Sequence, residues 1–242
     1  MNDHQNALGQ SIGAPLRMAL PRPRPPATPM TGRFCRIVPT DATGHASALF
    51  DAFQADRQGA NWTYLPYGPF DTRADWRDWM QATCCGPDPL FHTILDAEDR
   101  PQGLASYLRI EPATAVIEVG HIHLAPALQR TAAATEAMFL MMARVFDELG
   151  YRRYEWKCDA LNEPSRRAAL RLGFQYEGTF RKATHYKGRN RDTAWFSVID
   201  DEWPLLRAAF QQWLSPANMD ANKHQLQRLE DLRPNIASPG MD

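Results

Sequence analysis

One carboxylate lies inside an otherwise apolar stretch of the chain, where it could accept a proton. Glu118 is flanked by Ile117 and Val119, and a carboxylate removed from water needs either a partner or a chemical task. A glutamate in such a place can act as a general base that takes a proton from an attacking nucleophile, directly or through a water molecule. The alternative is that Glu118 occupies an edge or a bulge of a sheet and faces water.

Two histidines follow this glutamate closely and are the other candidates for proton transfer. His121 and His123 lie on the opposite side of a strand from Glu118, unless a bulge intervenes. A histidine in a strand more often packs than reacts, although its pKa suits proton transfer. We therefore place Glu118 first as the catalytic base and keep His121 and His123 as alternatives.

The segment after this strand predicts an anion-binding site. The strand is expected to end at Leu124, a short loop follows, and a helix is expected from about Thr135. Such a junction aims unpaired backbone N–H groups and the positive end of the helix dipole at one place, which suits a pyrophosphate. The alternative is a connection that binds nothing. The candidate binding residues are Leu124, Gln129, Arg130, Thr131, Ala132, Ala133, Ala134 and Thr135.

A second helix further along the chain carries two more candidates. Asn162 is a natural N-cap, Pro164 lies in the first turn, and Gly173 ends the helix. Asn162 can cap the helix and also hydrogen-bond to the arm of a cofactor, and Ser165 follows three residues later. Because the two roles are compatible, Asn162 and Ser165 are both candidate cofactor ligands.

Three motifs in this region are similar to those of one known family. They are 129–137 (QRTAAATEA), 162–165 (NEPS) and 172–178 (LGFQYEG). They resemble the pyrophosphate loop and the N-x-x-S and G-F-x-x-E-G signatures of GNAT acetyltransferases, most closely the branch of ribosomal-protein-alanine N-acetyltransferases. The resemblance covers about 31 to 205. It implies an α/β (α+β) fold with a mixed, mostly antiparallel, twisted sheet of about seven strands and helices on both faces.

The resemblance also implies an activity. An acetyl group would pass from acetyl-CoA, the acyl donor, to a primary amine of a small molecule or of a protein N-terminus, without a metal. Backbone N–H groups near Leu124 would donate to the thioester carbonyl as negative charge develops on it. A different interpretation is a non-catalytic module that binds acyl-CoA on the same fold, because a fold does not fix a function.

Two positions depart from the family pattern. Ala132 stands where the family usually has glycine, which matters only if that residue must adopt a positive φ. Ala169 stands where many members have a tyrosine that protonates the departing thiolate. The sequence therefore leaves open which group, if any, protonates the thiolate.

Composition sets the broad class of the protein. The 242 residues have a formal charge of -1 and 44% hydrophobic content, which suits an ordinary globular protein. The basic residues between 181 and 191 could contact nucleic acid or the 3′-phosphate of the cofactor, although such a hairpin is more often solvated. The net charge argues against nucleic acid as a partner. No apolar run is long enough to cross a membrane, and four cysteines without metal-site spacing favour the reducing cytoplasm. The acceptor, the acyl chain and the oligomeric state, including a homodimer, stay open.

The segments that carry the chemistry are expected to lie in one domain. Residues 1–30 are rich in proline and predict a flexible tail, 31–214 predict the acetyltransferase domain, and 215–242 predict a polar appendage whose helical signal is Leu226, Leu229 and Leu232. Alternation and turn residues predict seven strands, at 33–38, 91–96, 103–110, 115–124, 151–158, 174–186 and 193–200. Helices are predicted at 41–53, 72–83, 135–149 and 162–172.

Overall fold

The computed structural model describes residues 4–221 and 224–233. This part contains five α-helices: α1 (Ala42–Gln54), α2 (Arg73–Thr83), α3 (Ala132–Ala143), α4 (Glu163–Arg171) and α5 (Trp203–Leu214). None of these helices is long and apolar enough to span a membrane. The strands are β1 (His4–Gln5), β2 (Ser11–Ile12), β3 (Met30–Thr31), β4 (Arg36–Pro39), β5 (Leu90–Leu95), β6 (Pro101–Glu111), β7 (Val116–Leu124), β8 (Arg153–Asp159), β9 (Gln175–Tyr186) and β10 (Arg189–Ile199).

Eight of the strands form one mixed sheet in the order β3-β4-β5-β6-β7-β8-β10-β9, while β1 and β2 pair with each other. Neighbouring strands run antiparallel except β7 and β8, which are parallel. The predicted fold class is confirmed, with one strand more than the seven expected. The additional strand is β3, which lies at the end of the segment assigned to the tail and pairs with Arg36 and Ile37 of β4.

Helices cover both faces of the sheet because side chains along each strand alternate between two apolar layers. In β6, Leu104 belongs to a layer with α1 and α2, whereas Ala105 and Tyr107 belong to a layer with α3 and α5. The first layer is rich in aromatic side chains, and Trp62 and Trp76 are among those that are buried. The two layers fix the sheet from both sides and hold its central strands in place.

The sheet opens between β7 and β8. These two strands pair over four residues, from Val116 opposite Arg153 to Val119 opposite Trp156, and no further pairing between them occurs in the described part of the chain. The pairing of β7 with β6 shifts register just beyond this point, and His121 has a φ of 51°. A bulge of this kind bends and twists its strand. As a result β7 turns away from β8, and a gap opens between them.

The helix that follows β7 begins earlier than its apolar periodicity predicts. α3 starts at Ala132 rather than at Thr135, because Thr131 caps it. The Thr131 hydroxyl accepts the N–H of Ala134 at 3.1 Å. The end of the predicted helix is a π-helical turn, Arg144–Glu148. The early start places three consecutive alanines in the first turn of α3.

Helix α5 was not predicted, although its signal is present in the sequence. Trp203, Leu206, Phe210 and Trp213 are buried and form an apolar stripe along one side of the helix. Pro204 lies in the first turn, where proline favours a helix start. The buried side chains belong to the same layer as α3.

The end of the predicted N-terminal tail lies against the domain. Arg22 Nε donates to the carbonyl of Leu149 at 2.8 Å, and the buried Arg144 donates to the carbonyls of Thr28 and Pro29 at 2.7 and 3.0 Å. A chain rich in proline has few conformations to lose, so a few such bonds hold it. From Arg22 onwards the segment is therefore packed, which differs from the flexible tail that its composition predicts.

The C-terminal appendage also contacts the domain. Leu229 is fully buried in the layer that contains α3 and α5, Leu232 packs against the same layer, and Leu226 is 64% exposed. The described residues 224–233 contain no α-helix, so the helix suggested by the three leucines is not found there. The predicted tails also include 1–3, 222–223 and 234–242, which lie outside the described residues. The division into tail, domain and appendage stays a prediction.

Candidate active site

A cavity of about 210 Å³ lies in the gap between β7 and β8. Its walls are the bulged part of β7, the end of β8 and the first turn of α4, and the loop between α1 and α2 covers it. The polar and charged residues along these walls include Arg109, Glu118, His121, Lys157, Cys158, Asp159, Asn162, Ser165 and Arg191. The cavity therefore brings together four of the predicted site residues: Glu118, His121, Asn162 and Ser165.

Two hydrogen bonds hold the loop that covers the cavity. The Tyr64 hydroxyl donates to the carbonyl of Leu161 at 3.1 Å, and Lys187 Nζ donates to the carbonyl of Trp62 at 2.7 Å. Leu161 lies between β8 and α4, and Lys187 lies in the turn between β9 and β10. The loop thus extends from α1 and α2 to the opposite side of the gap and narrows its mouth.

Glu118 has charged partners on both carboxylate oxygens. Arg109 Nη1 lies 2.8 Å from Oε1 and 2.7 Å from Oε2, and Lys157 Nζ lies 2.9 Å from Oε2. The Glu118 side chain is 4% exposed, so the interpretation that it faces water is wrong. Lys157 Nζ also lies 2.7 Å from Glu155 Oε2 and 3.7 Å from the ring centre of Trp195. The charge partners and the packing hold the Glu118 carboxylate in one orientation.

The bulge in β7 gives the two histidines different surroundings. His121 lines the cavity, and burial together with the nearby Arg109 charge lowers its pKa to about 4. The ring of His123 stacks on Phe53 with 3.8 Å between ring centres and meets Trp62 edge-on. Neither ring nitrogen of His123 has a hydrogen-bond partner among the described residues. Of the two histidines, His121 therefore shares the cavity lining with Glu118, and His123 does not. The His121 ring also packs near Tyr67 and Phe91, with ring centres 5.6 and 5.0 Å away.

Burial of His123 predicts a loss of stability in acid. Burial lowers the pKa of His123 from 6.5 to about 3, so the unfolded chain binds the proton first as pH falls below 6.5. Stability from this group is present above pH 6.5 and is lost as pH falls towards 3, by about 2–3 kcal/mol at about pH 4.5. Urea unfolding across this pH range should show a shallower loss for His123→Phe than for the wild type.

The matched control for this measurement is His185→Phe, at an exposed position of β9. This variant should follow the wild-type dependence of unfolding free energy on pH. Equal acid sensitivity of His123→Phe and the wild type would contradict the assignment of an uncharged, buried His123.

The first turn of α3 presents two unpaired backbone N–H groups. Since Thr131 takes the N–H of Ala134, the N–H groups of Ala132 and Ala133 have no acceptor among residues 4–221 and 224–233. The left-handed turn before the helix is made by Arg130, with a φ of 60°. Ala132 is already helical, so the family glycine is not required for its φ. Both alanine side chains are small and partly exposed, so a phosphate oxygen can approach the amides.

The other residues of the predicted loop make contacts within the protein. Gln129 Nε2 donates to the carbonyl of Leu124 at 2.9 Å, which ties the loop to the end of β7. Thr135 Oγ1 donates to the carbonyl of Thr131 and accepts from Arg171 Nη1 at 3.1 Å. No residue of this loop lines the cavity. The predicted cofactor residues therefore lie in two places, at the start of α3 and along the cavity.

Asn162 caps α4, as predicted. Its Oδ1 accepts the N–H of Ser165 at 3.2 Å, and Ser165 Oγ accepts from Trp156 Nε1 at 3.0 Å. The side chains of Asn162 and Ser165 both line the cavity. Ala169, in place of the family tyrosine, is completely buried, so this position supplies no proton to a departing thiolate.

Comparison with known protein families gives a match. The acetyltransferase (GNAT) domain family matches residues 36–175, which is more than half of the chain. The chain belongs to the GNAT family. The predicted family is thereby confirmed. No curated protein matches the sequence.

Solved GNAT structures share the fold. A GCN5-related N-acetyltransferase from Brucella melitensis is 46% identical with a TM-score of 0.88, and the match covers 90% of this chain and 99% of that one. A GNAT-family structure from Chromobacterium violaceum ATCC 12472 is 39% identical with a TM-score of 0.75, covering 81% and 98% of the two chains. RimJ from Mycobacterium smegmatis, solved with CoA-disulfide, is 18% identical with a TM-score of 0.64, covering 77% and 94%. At that identity RimJ shows the fold alone.

Sequence reasoning missed two charged residues of the GNAT cavity, Arg109 and Lys157, and named a third, Arg191, only as part of a basic segment. Lys157 had a usable signal, because like Glu118 it lies in a mostly apolar strand and a buried cation needs an anion. Arg109 gave no such signal, since it precedes a turn. Arg191 belongs to the basic segment 181–191, which is expected to be solvated. Only the tertiary structure brings these three side chains to the cavity.

Proposed function

We propose that the protein transfers an acetyl group from acetyl-CoA to a primary amine of a small molecule or of a protein N-terminus. The observation that carries this proposal is the gap between β7 and β8, together with the unpaired amides at the start of the helix that follows β7. Membership of the GNAT acetyltransferase family supports acetyl-CoA as the donor.

The residues at the start of α3 fit the pyrophosphate of such a donor. The N–H groups of Ala132 and Ala133 can donate to phosphate oxygens, and the positive end of the α3 dipole favours the anion. Asn162 and Ser165 line the cavity and can hydrogen-bond to the arm of the donor. When bound, acetyl-CoA supplies an activated acetyl group as a thioester. Placing the two substrates together accounts for much of the expected rate.

The bulged part of β7 can stabilise negative charge. Past Val119, β7 has no further pairing with β8 among the described residues. Gly120 and Ile122 of this segment line the cavity, and the strand ends at Leu124. Backbone N–H groups that are not used in pairing with β8 are available here. Such N–H groups can donate to a carbonyl oxygen as negative charge develops on it.

We assign the role of general base to Glu118. Its carboxylate lines the cavity and is fixed in place by Arg109 and Lys157. An amine that enters along β7 can pass its proton to Glu118, directly or through a water molecule. His121 is the alternative proton acceptor, because its lowered pKa of about 4 leaves the ring uncharged at neutral pH.

A negative charge at the start of α3 tests the proposed donor site. In Ala133→Glu the new carboxylate lies next to the amides assigned to the pyrophosphate, so affinity for acetyl-CoA should fall about 100-fold or more. The fold should persist, because glutamate is favourable in the first turn of a helix. Calorimetry of acetyl-CoA binding gives the measurement.

The control for this variant is Ala127→Glu, which adds the same charge at an exposed position of the same loop. It should keep the affinity of the wild type. Unchanged affinity in Ala133→Glu would place the donor elsewhere. A thiol-release assay with acetyl-CoA and a panel of amines then tests transfer, and binding without release for any amine would favour the non-catalytic module.

A further inference from the structure

One cation along the cavity forms no ion pair within the described part of the chain. Three cations line the cavity, and two of them are neutralised: Arg109 by Glu118, and Lys157 by Glu118 and Glu155. Arg191, the third, forms no ion pair with any carboxylate of the described residues. The cavity therefore has one guanidinium whose charge is available to a ligand.

The surroundings of Arg191 leave one of its hydrogen-bond donors without an acceptor among the described residues. Its guanidinium lies 5.9 Å from the ring centre of Tyr186, and its Nε is buried without an acceptor in the described part of the chain. Asp159 also lines the cavity, but its oxygens accept from the Leu161 N–H and the Tyr186 hydroxyl, each at 2.8 Å. A buried N–H without an acceptor is costly. A ligand oxygen at this place would remove that cost.

Arg191 lines the same cavity as the groups proposed to act on the acceptor amine. It shares the cavity with Glu118 and His121, the two candidates for proton removal, whereas the loop assigned to the pyrophosphate contributes nothing to the cavity lining. The mouth above it is covered by the loop that contains Asn61 and Tyr64. An anion bound by Arg191 would therefore belong to the acceptor rather than to the pyrophosphate of the donor.

The chain around Arg191 extends the positive charge beyond the cavity. Residues 178–191 contain five Lys and Arg and no Asp or Glu. Arg181, Lys182, Lys187 and Arg189 are all exposed, and none of them forms an ion pair with a described carboxylate. A segment that carries charge of one sign attracts ligands of the opposite sign.

We propose that the acceptor carries a carboxylate or a phosphate close to its primary amine and that Arg191 binds this group. The proposal rests on the proposed acetyltransferase function and names the substrate class of the same cavity. Arginine suits both anions, because its planar guanidinium can donate two parallel hydrogen bonds. With the anion held by Arg191, the amine lies towards Glu118.

Paired acceptors that differ in one anionic group test the proposal. Aspartic acid α-amide is compared with asparagine amide, and O-phosphoserine amide with serine amide, by thiol release from acetyl-CoA. Each anionic member should have a kcat/KM about 10- to 100-fold higher than its neutral partner. The two pairs distinguish a carboxylate from a phosphate, because the larger preference identifies the preferred anion.

Three variants assign the preference to one residue. Arg191→Gln should remove it, mainly by raising KM for the anionic amine, while Arg191→Lys should restore part of it by keeping the charge. Arg189→Gln removes a neighbouring exposed arginine that does not line the cavity, and it should keep the full preference. Affinity for acetyl-CoA should remain at the wild-type value in all three variants.

Equal kcat/KM for anionic and neutral amines would overturn the proposal while leaving acetyl transfer intact. An equal loss of preference in Arg189→Gln and Arg191→Gln would also overturn it, since a diffuse field would then replace a specific contact. If no amine releases thiol, the proposed function fails. In that case calorimetry of O-phosphoserine amide and aspartic acid α-amide with the acetyl-CoA-loaded protein still decides whether Arg191 binds the anion.

Discussion

Glu118→Gln is expected to lower the turnover number by about 10²–10⁴-fold while leaving the affinity for acetyl-CoA nearly unchanged. Glutamine keeps the size of the side chain and can still hydrogen-bond to Arg109 and Lys157, but it cannot take a proton from the amine. The donor site at the start of α3 contains neither Glu118 nor its two cation partners, so donor binding should persist. Thiol release under saturating substrates and calorimetry with acetyl-CoA give the two measurements.

The control must separate lost chemistry from lost stability, because removing one charge of a buried ion pair destabilises a fold. Glu155→Gln is matched for this purpose: Glu155 is the second carboxylate partner of Lys157 and does not line the cavity. Glu155→Gln should lower the free energy of unfolding, as Glu118→Gln does, but it should keep the wild-type turnover per folded molecule. Wild-type turnover in Glu118→Gln, combined with loss of turnover in His121→Ala, would transfer the role of base to His121.

Glu136→Ala is expected to lower the free energy of unfolding by about 3–5 kcal/mol. The buried Glu136 carboxylate accepts the backbone N–H groups of Arg33, Phe34 and Cys35 at 2.8, 2.6 and 2.9 Å. Alanine would leave three donors of the turn between β3 and β4 without their acceptor. A Cβ at Gly32 would overlap the same carboxylate, which shows how closely the turn encloses it. Urea unfolding and a melting curve measure the loss.

Two further variants serve as comparisons for the stability loss of Glu136→Ala. Glu136→Gln keeps one acceptor oxygen and should lose less stability than Glu136→Ala. Glu163→Ala removes an exposed glutamate from the first turn of α4, where its ion pairs with Arg166 and Arg167 lie at the surface. It should change stability by less than about 1 kcal/mol. Equal stability of Glu136→Ala and Glu163→Ala would contradict the role of Glu136.

The part of the fold set by local signals could be predicted from the sequence. The strands at 91–96, 103–110 and 115–124 are joined by short turns, so alternation and turn residues define both the strands and their antiparallel order. The structure confirms this meander. The cap at Asn162 was also predictable, because an N-cap depends only on the residues next to it. Short-range chemistry therefore specified most elements.

The charge partners of the site could not be predicted, because they depend on pairing between distant segments. Lys157 reaches Glu118 because the parallel register places Glu155 opposite Glu118, and neither strand alone specifies that register. The position of the bulge in β7 could not be predicted from the sequence either. Strict alternation directs His121 away from Glu118, and the irregular backbone at His121 is what brings both side chains to one cavity. Glu136 belonged to a recognised motif, but its carboxylate contacts a turn about a hundred residues earlier in the chain.

The short pairing of β7 with β8 divides the sheet into two leaves that share a narrow joint. Within the described residues, β3 to β7 form one leaf, β8 to β10 form the other, and four residue pairs connect them. Glu118 belongs to the first leaf and Lys157 to the second. Their ion pair therefore connects the two leaves next to the gap. The group assigned to move the proton thereby also limits how far the two leaves can separate.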